Sequence, residues 1–248
     1  PEIEPFLNEK WFPKYDPYDK NLQRNQWIEE IKEKLPDDFY EMRKIGENES
    51  YICQLIREDS VEKFIPYVNK CNISRNSKIT PSIYETSSFL IKKQTQSAEG
   101  ISLIEYATFF GSNQIFTFLK NEGANLTPKS LLLESIHGKN AELIHLLEGE
   151  VTEGNQEMFY KDCFKESIKC HHNAIANYFL DNFLQRKDEN SNDAIKQSLK
   201  YYNFSFLQKE LINESSFCHI CHYDYYSIAK NLLTSIDVDI NSKEIQNY

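Results

Sequence analysis

The chain has 248 residues, of which 40% are hydrophobic and 27% charged, and this mixture argues against a wholly disordered protein. Only seven glycines and eight prolines are present, which disfavours an all-β sandwich of tight turns and favours helices joined by short connections. A net charge of −10 without a basic block argues against nucleic-acid binding. The lack of a signal sequence or a long apolar run argues against export or membrane insertion, so we expect a cytoplasmic protein with reduced cysteines.

Residues 1–46 are predicted to form an extended arm followed by a capping helix. Four prolines interleaved with aromatic residues lie within residues 1–20, and proline at this density blocks a helix. Residues 21–36 then place apolar side chains on one helical face: Trp27, Ile28, Ile31 and Leu35. We expect the arm to dock its aromatic side chains onto the following domain, residues 47–248.

Two short helices joined by a turn are predicted within residues 100–126. Two apolar stripes follow helical spacing: Leu103, Ile104 and Ala107, then Ile115, Phe116, Phe118 and Leu119. Gly111 separates the stripes, and Gly123 ends the second helix as the left-handed residue that such an end prefers. A hairpin this small cannot bury both stripes alone, so it must stack on copies of itself.

The hairpin pattern recurs through residues 47–248. We take the turn residue as an anchor, with a small or apolar residue four positions earlier and apolar residues four and eight positions later. Anchors on this criterion are Ser60, Gly111, Lys139, His171 and Asp224, and Tyr202 fits less well, with Ser198 and Phe206 as its matching positions. An insertion, residues 74–100, follows the first hairpin. In it Thr80 as the N-cap and Pro81 as the first helical residue predict a helix over about 81–92.

Residues 100–126 resemble an ankyrin repeat. The positions that match its pattern are Gly100, Ser102, Ile104, Ala107, Gly111, Ile115, Leu119, Gly123 and Ala124, with Glu105 where the pattern has histidine. Residues 48–248 as a whole resemble the degenerate ankyrin proteins that parasitic protists of the trichomonad type carry in large families. The resemblance implies an all-α solenoid of helical hairpins that acts as a cytosolic binding scaffold.

Residues 237–244 resemble the connector from one ankyrin repeat to the next. Only four residues follow them, whereas the terminal repeat of a solenoid normally has a polar outer face. We therefore expect either that the native chain continues or that another chain covers this end.

The stretch from Cys218 to His222 has the spacing C-x-x-C-H, which is found in haem attachment and resembles a zinc ligand set. In the repeat register Ile220 and Cys221 fall on the packed side of a first helix, whereas His219 and His222 point outward. We therefore expect the cysteines to pack as small hydrophobes, without a metal or cofactor. The alternative is a metal-binding or thiol-active domain that uses Cys218, Cys221 and His222. The group Cys170, His171 and His172 is expected to form a helix end and turn.

The sequence lacks a nucleophile elbow, a phosphate-binding glycine loop and an H-E-x-x-H motif, and we expect a protein that is not an enzyme. Its predicted partner is another protein, with no role for nucleic acid or membrane. The predicted partner-binding residues lie on the outward side of the first helices: Tyr106, Phe109, Phe110, Glu134, His137, Glu166, Lys169, His219 and His222. Aromatic side chains of such a row supply anchoring area, and charges supply orientation.

Overall fold

The computed structural model describes residues 35–96, 100–151, 156–184, 188–206 and 214–235. The regular elements in these ranges are helical, and Lys78 and Ser102 form an isolated antiparallel bridge. The all-α prediction is therefore confirmed for the described residues. The predicted extended arm, most of the capping helix and the connector at 237–244 lie outside them.

Thirteen α-helices fall within the described ranges. They are α1 (Phe39–Ile45), α2 (Tyr51–Arg57), α3 (Val61–Lys70), α4 (Ser88–Gln96), α5 (Leu103–Phe110), α6 (Asn113–Asn121), α7 (Pro128–Gly138), α8 (Ala141–Glu150), α9 (Gln156–Lys169), α10 (Asn173–Phe179), α11 (Asp188–Lys200), α12 (Glu214–His222) and α13 (Tyr226–Ser235). A π-helical turn (Leu180–Leu184) follows α10, and a 3-10 turn (Phe204–Phe206) follows α11. Among these helices none has the length and apolar character that a membrane span requires.

The chain divides into two compact units. The first contains the residues up to Tyr106 together with Gln114–Ala124. The second contains Ala107–Asn113 and the residues from Asn125 onward. Helix α5 therefore contributes its first half to one unit and its second half to the other.

Backbone geometry confirms the predicted turns. Positive φ angles occur at five of the six predicted anchors: Gly111 (71°), Lys139 (53°), His171 (58°), Tyr202 (58°) and Asp224 (59°). The remaining turn is displaced by one residue, from Ser60 to Asp59 (47°), and Gly123 has the predicted left-handed conformation (77°). This conformation costs a residue with a side chain roughly 1–2 kcal/mol, so the surrounding structure must stabilise four of these anchors.

A repeated backbone hydrogen bond ends the first helices. The amide that follows the anchor donates to the carbonyl four residues before the anchor, over 2.8–3.0 Å, in four pairs: Ser112 to Ala107, His172 to Ser167, Asn203 to Ser198 and Tyr225 to Ile220. This is the longer bond of the Schellman motif, which requires the left-handed residue between donor and acceptor. All four acceptor residues are buried, which explains the small or apolar side chains that the pattern has at this position.

Within the second unit, the first helices of successive hairpins pack in order, α7 on α9, α9 on α11 and α11 on α12. The side chain after each anchor donates to the hairpin before it: His172 to the carbonyl of Ile136 (2.7 Å), Asn203 to that of Ile168 (2.9 Å) and Tyr225 to that of Leu199 (2.7 Å). Each acceptor lies three residues before the preceding anchor, and its carbonyl also accepts from the amide of that anchor over 3.0–3.4 Å. The repeat therefore extends to the hydrogen bonds between hairpins.

The predicted helix over 81–92 is wrong at residues 81–87 and right at residues 88–92. Helix α4 begins at Ser88, and the residues before it run along the loop that follows α1. The side chain of Asn48 donates to the carbonyl of Thr80 (2.8 Å), and the amide of Thr86 donates to the carbonyl of Gly46 (3.0 Å). These bonds use backbone groups that a helix would need, so the N-cap signal at Thr80 is overridden by tertiary contacts.

Asp59 caps helix α6 from the turn between α2 and α3. Its two carboxylate oxygens accept from the amides of Gln114 (3.0 Å) and Ile115 (2.9 Å), two donors that a helix N-terminus leaves unsatisfied.

Asp59→Ala should lower the free energy of unfolding by about 1–2 kcal/mol, because it removes both bonds and disfavours the left-handed φ. Urea unfolding measures the loss. Asp59→Asn keeps an acceptor and a residue tolerant of positive φ, so an equal loss in both variants would contradict the capping role.

A capping box starts helix α5. The amide and hydroxyl of Ser102 donate to Oε2 of Glu105 (2.7 and 2.8 Å), and Nζ of Lys93 lies 2.9 Å from Oε1. This bonding gives a physical role to the glutamate that stands where the ankyrin pattern has histidine. Burial alone would raise the pKa of Glu105, but the bonds from Ser102 and Lys93 outweigh burial and hold that pKa below its ordinary value.

Glu105 should make stability depend on pH. Because its pKa is lower in the folded state, its stabilising contribution is complete above the ordinary pKa of about 4.3 and is lost as pH falls through the folded pKa. Glu105→Gln retains a capping acceptor without the charge. We expect the difference in urea midpoint between wild type and this variant to be largest near neutral pH and to shrink on acidification. A difference that is constant with pH would contradict the assignment.

Candidate functional site

Four predicted partner-binding residues meet in the second unit. The rings of Phe109 and His137 stack with centroids 4.6 Å apart. Nε2 of His137 lies 3.1 Å from Oε1 of Glu166, and Nζ of Lys169 lies 2.7 Å from the same oxygen. Side chains from three successive hairpins therefore form one continuous line of contacts.

The repeat register explains why these side chains meet. Phe109, His137 and Lys169 each lie two residues before an anchor, at Gly111, Lys139 and His171 respectively. Stacked hairpins place equivalent positions near one another, and Phe109 accordingly contacts its counterpart His137, whereas His137 contacts Glu166 and Cys170 of the next hairpin. The same position is filled by Lys200 and His222 in the following two hairpins, and both are exposed.

Cys170 joins this group, and sequence reasoning missed it. Its Sγ lies 3.5 Å from Nδ1 of His137 and 3.9 Å from Oε1 of Glu166. We name His137, Glu166, Lys169 and Cys170 the His137 cluster. The sequence did indicate part of this group, because Glu166 and Cys170 are four residues apart on one predicted helix and therefore lie on the same face.

The electrostatics of the His137 cluster favour a charged Glu166 and a neutral Cys170. Burial alone would raise the pKa of Glu166, but His137 and Lys169 hold it below its ordinary value. Burial raises the pKa of the Cys170 thiol to about 12, and the negative charge of Glu166 adds to that effect. The cluster thus presents a carboxylate, an imidazole and a thiol, which are three different donor atoms, on a partly exposed surface.

Three predicted partner-binding residues do not point outward as expected. Tyr106, Glu134 and His219 have relative exposures of 0%, 1% and 7%. In the second unit α7 and α12 are each packed by the second helix of their own hairpin and by the first helix of a neighbour, so the exposed strip is narrower than helical periodicity suggests. Burial is also the main cause of the lowered pKa of His219, followed by the charges of Lys196 and His222.

The C-x-x-C-H stretch divides between core and surface. Ile220 is buried as predicted, but Cys221 is exposed, so its assignment to the packed side is wrong. Cys218 is buried, whereas Cys221 and His222 are exposed, so the three residues of the alternative metal site lie in different environments. In the described ranges, one trio of histidine, cysteine and acidic side chains brings its donor atoms within 4.8 Å of one another: His137, Glu166 and Cys170.

The two remaining predicted residues each pack against a neighbouring aromatic ring. Phe110 is partly buried and packs edge-on against Phe109, with centroids 5.0 Å apart. His222 packs edge-on against Tyr223 at 4.8 Å. Of the nine residues, six are therefore at least partly exposed.

Comparison of the chain with protein families, with curated proteins and with solved structures finds no match. The functional argument therefore rests on the residues and contacts described above.

Proposed function

We propose that the chain is a non-catalytic, cytoplasmic scaffold for protein–protein interaction, built from ankyrin-like helical hairpins. The observation that supports it is the regular turn register of the second unit. Left-handed anchors recur from Gly111 to Asp224, and the residue after the anchor bonds back to the preceding hairpin at three successive positions. Repeats of this kind bind partners along an extended surface whose side chains vary while the supporting core is kept.

The proposed binding surface consists of the positions two residues before each anchor of the second unit, from Gly111 to Asp224, which we name the anchor-minus-two row. It contains Phe109, His137, Lys169, Lys200 and His222. The row begins with an aromatic residue and continues with lysines and histidines, in a chain whose net charge is −10. Local basic character on an acidic protein favours a partner segment that combines acidic side chains with an apolar anchor.

Charge reversal on the row tests this proposal. Lys200 and Lys230 are both exposed lysines of the second unit, but Lys200 belongs to the row and Lys230 lies on α13. With the purified chain as bait in an extract of its source cells, captured partners are first identified and then measured by titration. Lys200→Glu should weaken binding more than about fivefold, whereas Lys230→Glu should leave it unchanged. Equal effects of the two substitutions would place the binding surface elsewhere.

A further inference from the structure

We propose that His137, Glu166 and Cys170 form a binding site for one zinc ion. The inference does not depend on the scaffold function. It rests on three ligand side chains that two neighbouring hairpins bring together. His137 lies in the last turn of α7, and Glu166 and Cys170 lie four residues apart on α9, which packs against α7.

The donor atoms match the chemistry of zinc. Zinc binds cysteine sulfur, histidine nitrogen and carboxylate oxygen, and three protein ligands leave a fourth position for water. Zinc binding releases the proton of the Cys170 thiol, and the resulting thiolate and the Glu166 carboxylate together balance the charge of the divalent ion. Magnesium and calcium prefer sites made of oxygen ligands, so the sulfur and nitrogen donors here favour zinc over them.

The spacing of the donor atoms is close to that of a tetrahedral site. Zinc–ligand bonds of about 2.0–2.3 Å give edges of about 3.5 Å between sulfur and either lighter atom and about 3.3 Å between nitrogen and oxygen. The corresponding distances are 3.9 Å from Sγ of Cys170 to Nε2 of His137, 3.9 Å from that Sγ to Oε1 of Glu166 and 3.1 Å from Nε2 to Oε1. Each edge therefore needs an adjustment of less than about 0.5 Å, but the imidazole of His137 must also turn, because Sγ lies nearer to Nδ1 (3.5 Å) than to Nε2 and a bound ion lies in line with the ligating nitrogen, away from the ring.

The surroundings orient the ligands and leave a route for the ion. Phe109 stacks on the imidazole of His137, with an angle of 26° between the ring planes, and covers one face of the ring. The side chains of His137 and Glu166 are each 14% exposed, which holds them in place while leaving one side open to solvent. The neighbouring imidazoles of His171 and His172 donate to the carbonyls of Tyr201 and Ile136 and so are engaged elsewhere.

The ammonium group of Lys169 competes with zinc for the carboxylate of Glu166. This group lies 2.7 Å from Oε1 of Glu166, and zinc must displace it. The displacement is inexpensive, because the Lys169 side chain is 29% exposed and ion pairs near the surface are weak. Lys169→Met should therefore strengthen zinc binding, whereas substitution of any of the three ligands should weaken it.

The test uses the full chain, freed of metal by chelation and titrated with zinc and, separately, with cobalt(II). We expect one equivalent to bind and cobalt to give a thiolate-to-metal charge-transfer band, a signature of sulfur ligation. Cys170→Ser should abolish that band and weaken zinc binding by more than about tenfold, the range that loss of even an outer-shell partner can reach. His137→Gln should weaken zinc binding similarly but retain the sulfur band with cobalt at saturation.

The matched control is Cys221→Ser, which removes a surface cysteine beside a histidine outside the cluster. It should keep both the band and the affinity. Circular dichroism of each variant establishes that the helices are intact. Absence of the band in the wild type would overturn the proposal irrespective of how any variant folds. Loss of the band in Cys221→Ser but not in Cys170→Ser would also overturn it, and would assign the metal to the C-x-x-C-H stretch.

Discussion

Tyr106→Ala is expected to lower the free energy of unfolding by about 3–5 kcal/mol, the range for truncating a fully buried aromatic side chain. Tyr106 has 0% relative exposure and is among the largest fully buried side chains of the described residues. Its hydroxyl accepts a bond of 3.0 Å from Arg57, which also donates to the carbonyl of Asn48 and pairs with Glu47. Truncation thus opens a cavity and removes one acceptor from a half-buried guanidinium. Chemical unfolding followed by circular dichroism measures the loss.

Tyr106→Phe separates the two contributions. It keeps the ring and removes only the hydroxyl, so it should cost about 1–2 kcal/mol, as expected when a buried hydrogen bond to a charged group is lost. The hydroxyl stays protonated at neutral pH, because burial raises the pKa of Tyr106, with further increases from Cys53 and Glu85. If Tyr106→Ala unfolded at the wild-type midpoint, the side chain would be on the surface, as the sequence analysis had expected.

The turns could be predicted because their determinants are local. Gly111 and Gly123 are left-handed, as glycines at helix ends commonly are, and the apolar pattern around Gly111 led to the anchors that have no such glycine. Lys139 and Tyr202 are poor candidates for positive φ when they are considered alone. They were found because the residues four before and four or eight after each anchor must pack, whichever residue forms the turn.

The exposed surface could not be predicted to the same degree, because it depends on which neighbours cover a helix. Tyr106 and Phe109 are adjacent on the predicted outward side of α5, yet the first is fully buried and the second partly exposed. Helical periodicity identifies the apolar face but does not reveal how far neighbouring elements extend around it. The contact of Cys170 with His137 likewise depends on how the hairpins stack. It could have been predicted, because the repeat register places the two residues at neighbouring positions of successive hairpins.

Gly138→Ala is expected to destabilise the second unit by about 3 kcal/mol, near the upper end of the cost of overpacking. A Cβ atom at Gly138 would lie 2.5 Å from the amide nitrogen of Gly111 and 2.7 Å from its Cα. Both are backbone atoms, which cannot rotate away as a side chain can. Gly111 is itself left-handed, and a Cβ there would lie 2.8 Å from the carbonyl oxygen of Gly138. Two hairpins therefore touch backbone to backbone at this point, directly beside His137.

Gly149→Ala is the matched control for Gly138→Ala. Gly149 lies in α8, has a φ that ordinary residues adopt and has no atom within 4 Å of a built Cβ. Alanine there should stabilise the protein by up to about 1 kcal/mol through its higher helix propensity. In Gly138→Ala the hairpins that carry Gly111 and Gly138 must separate, which should weaken the stacking of Phe109 on His137 together with stability. If the two glycine variants unfolded at the same urea concentration, the close approach of Gly111 and Gly138 would not exist in solution.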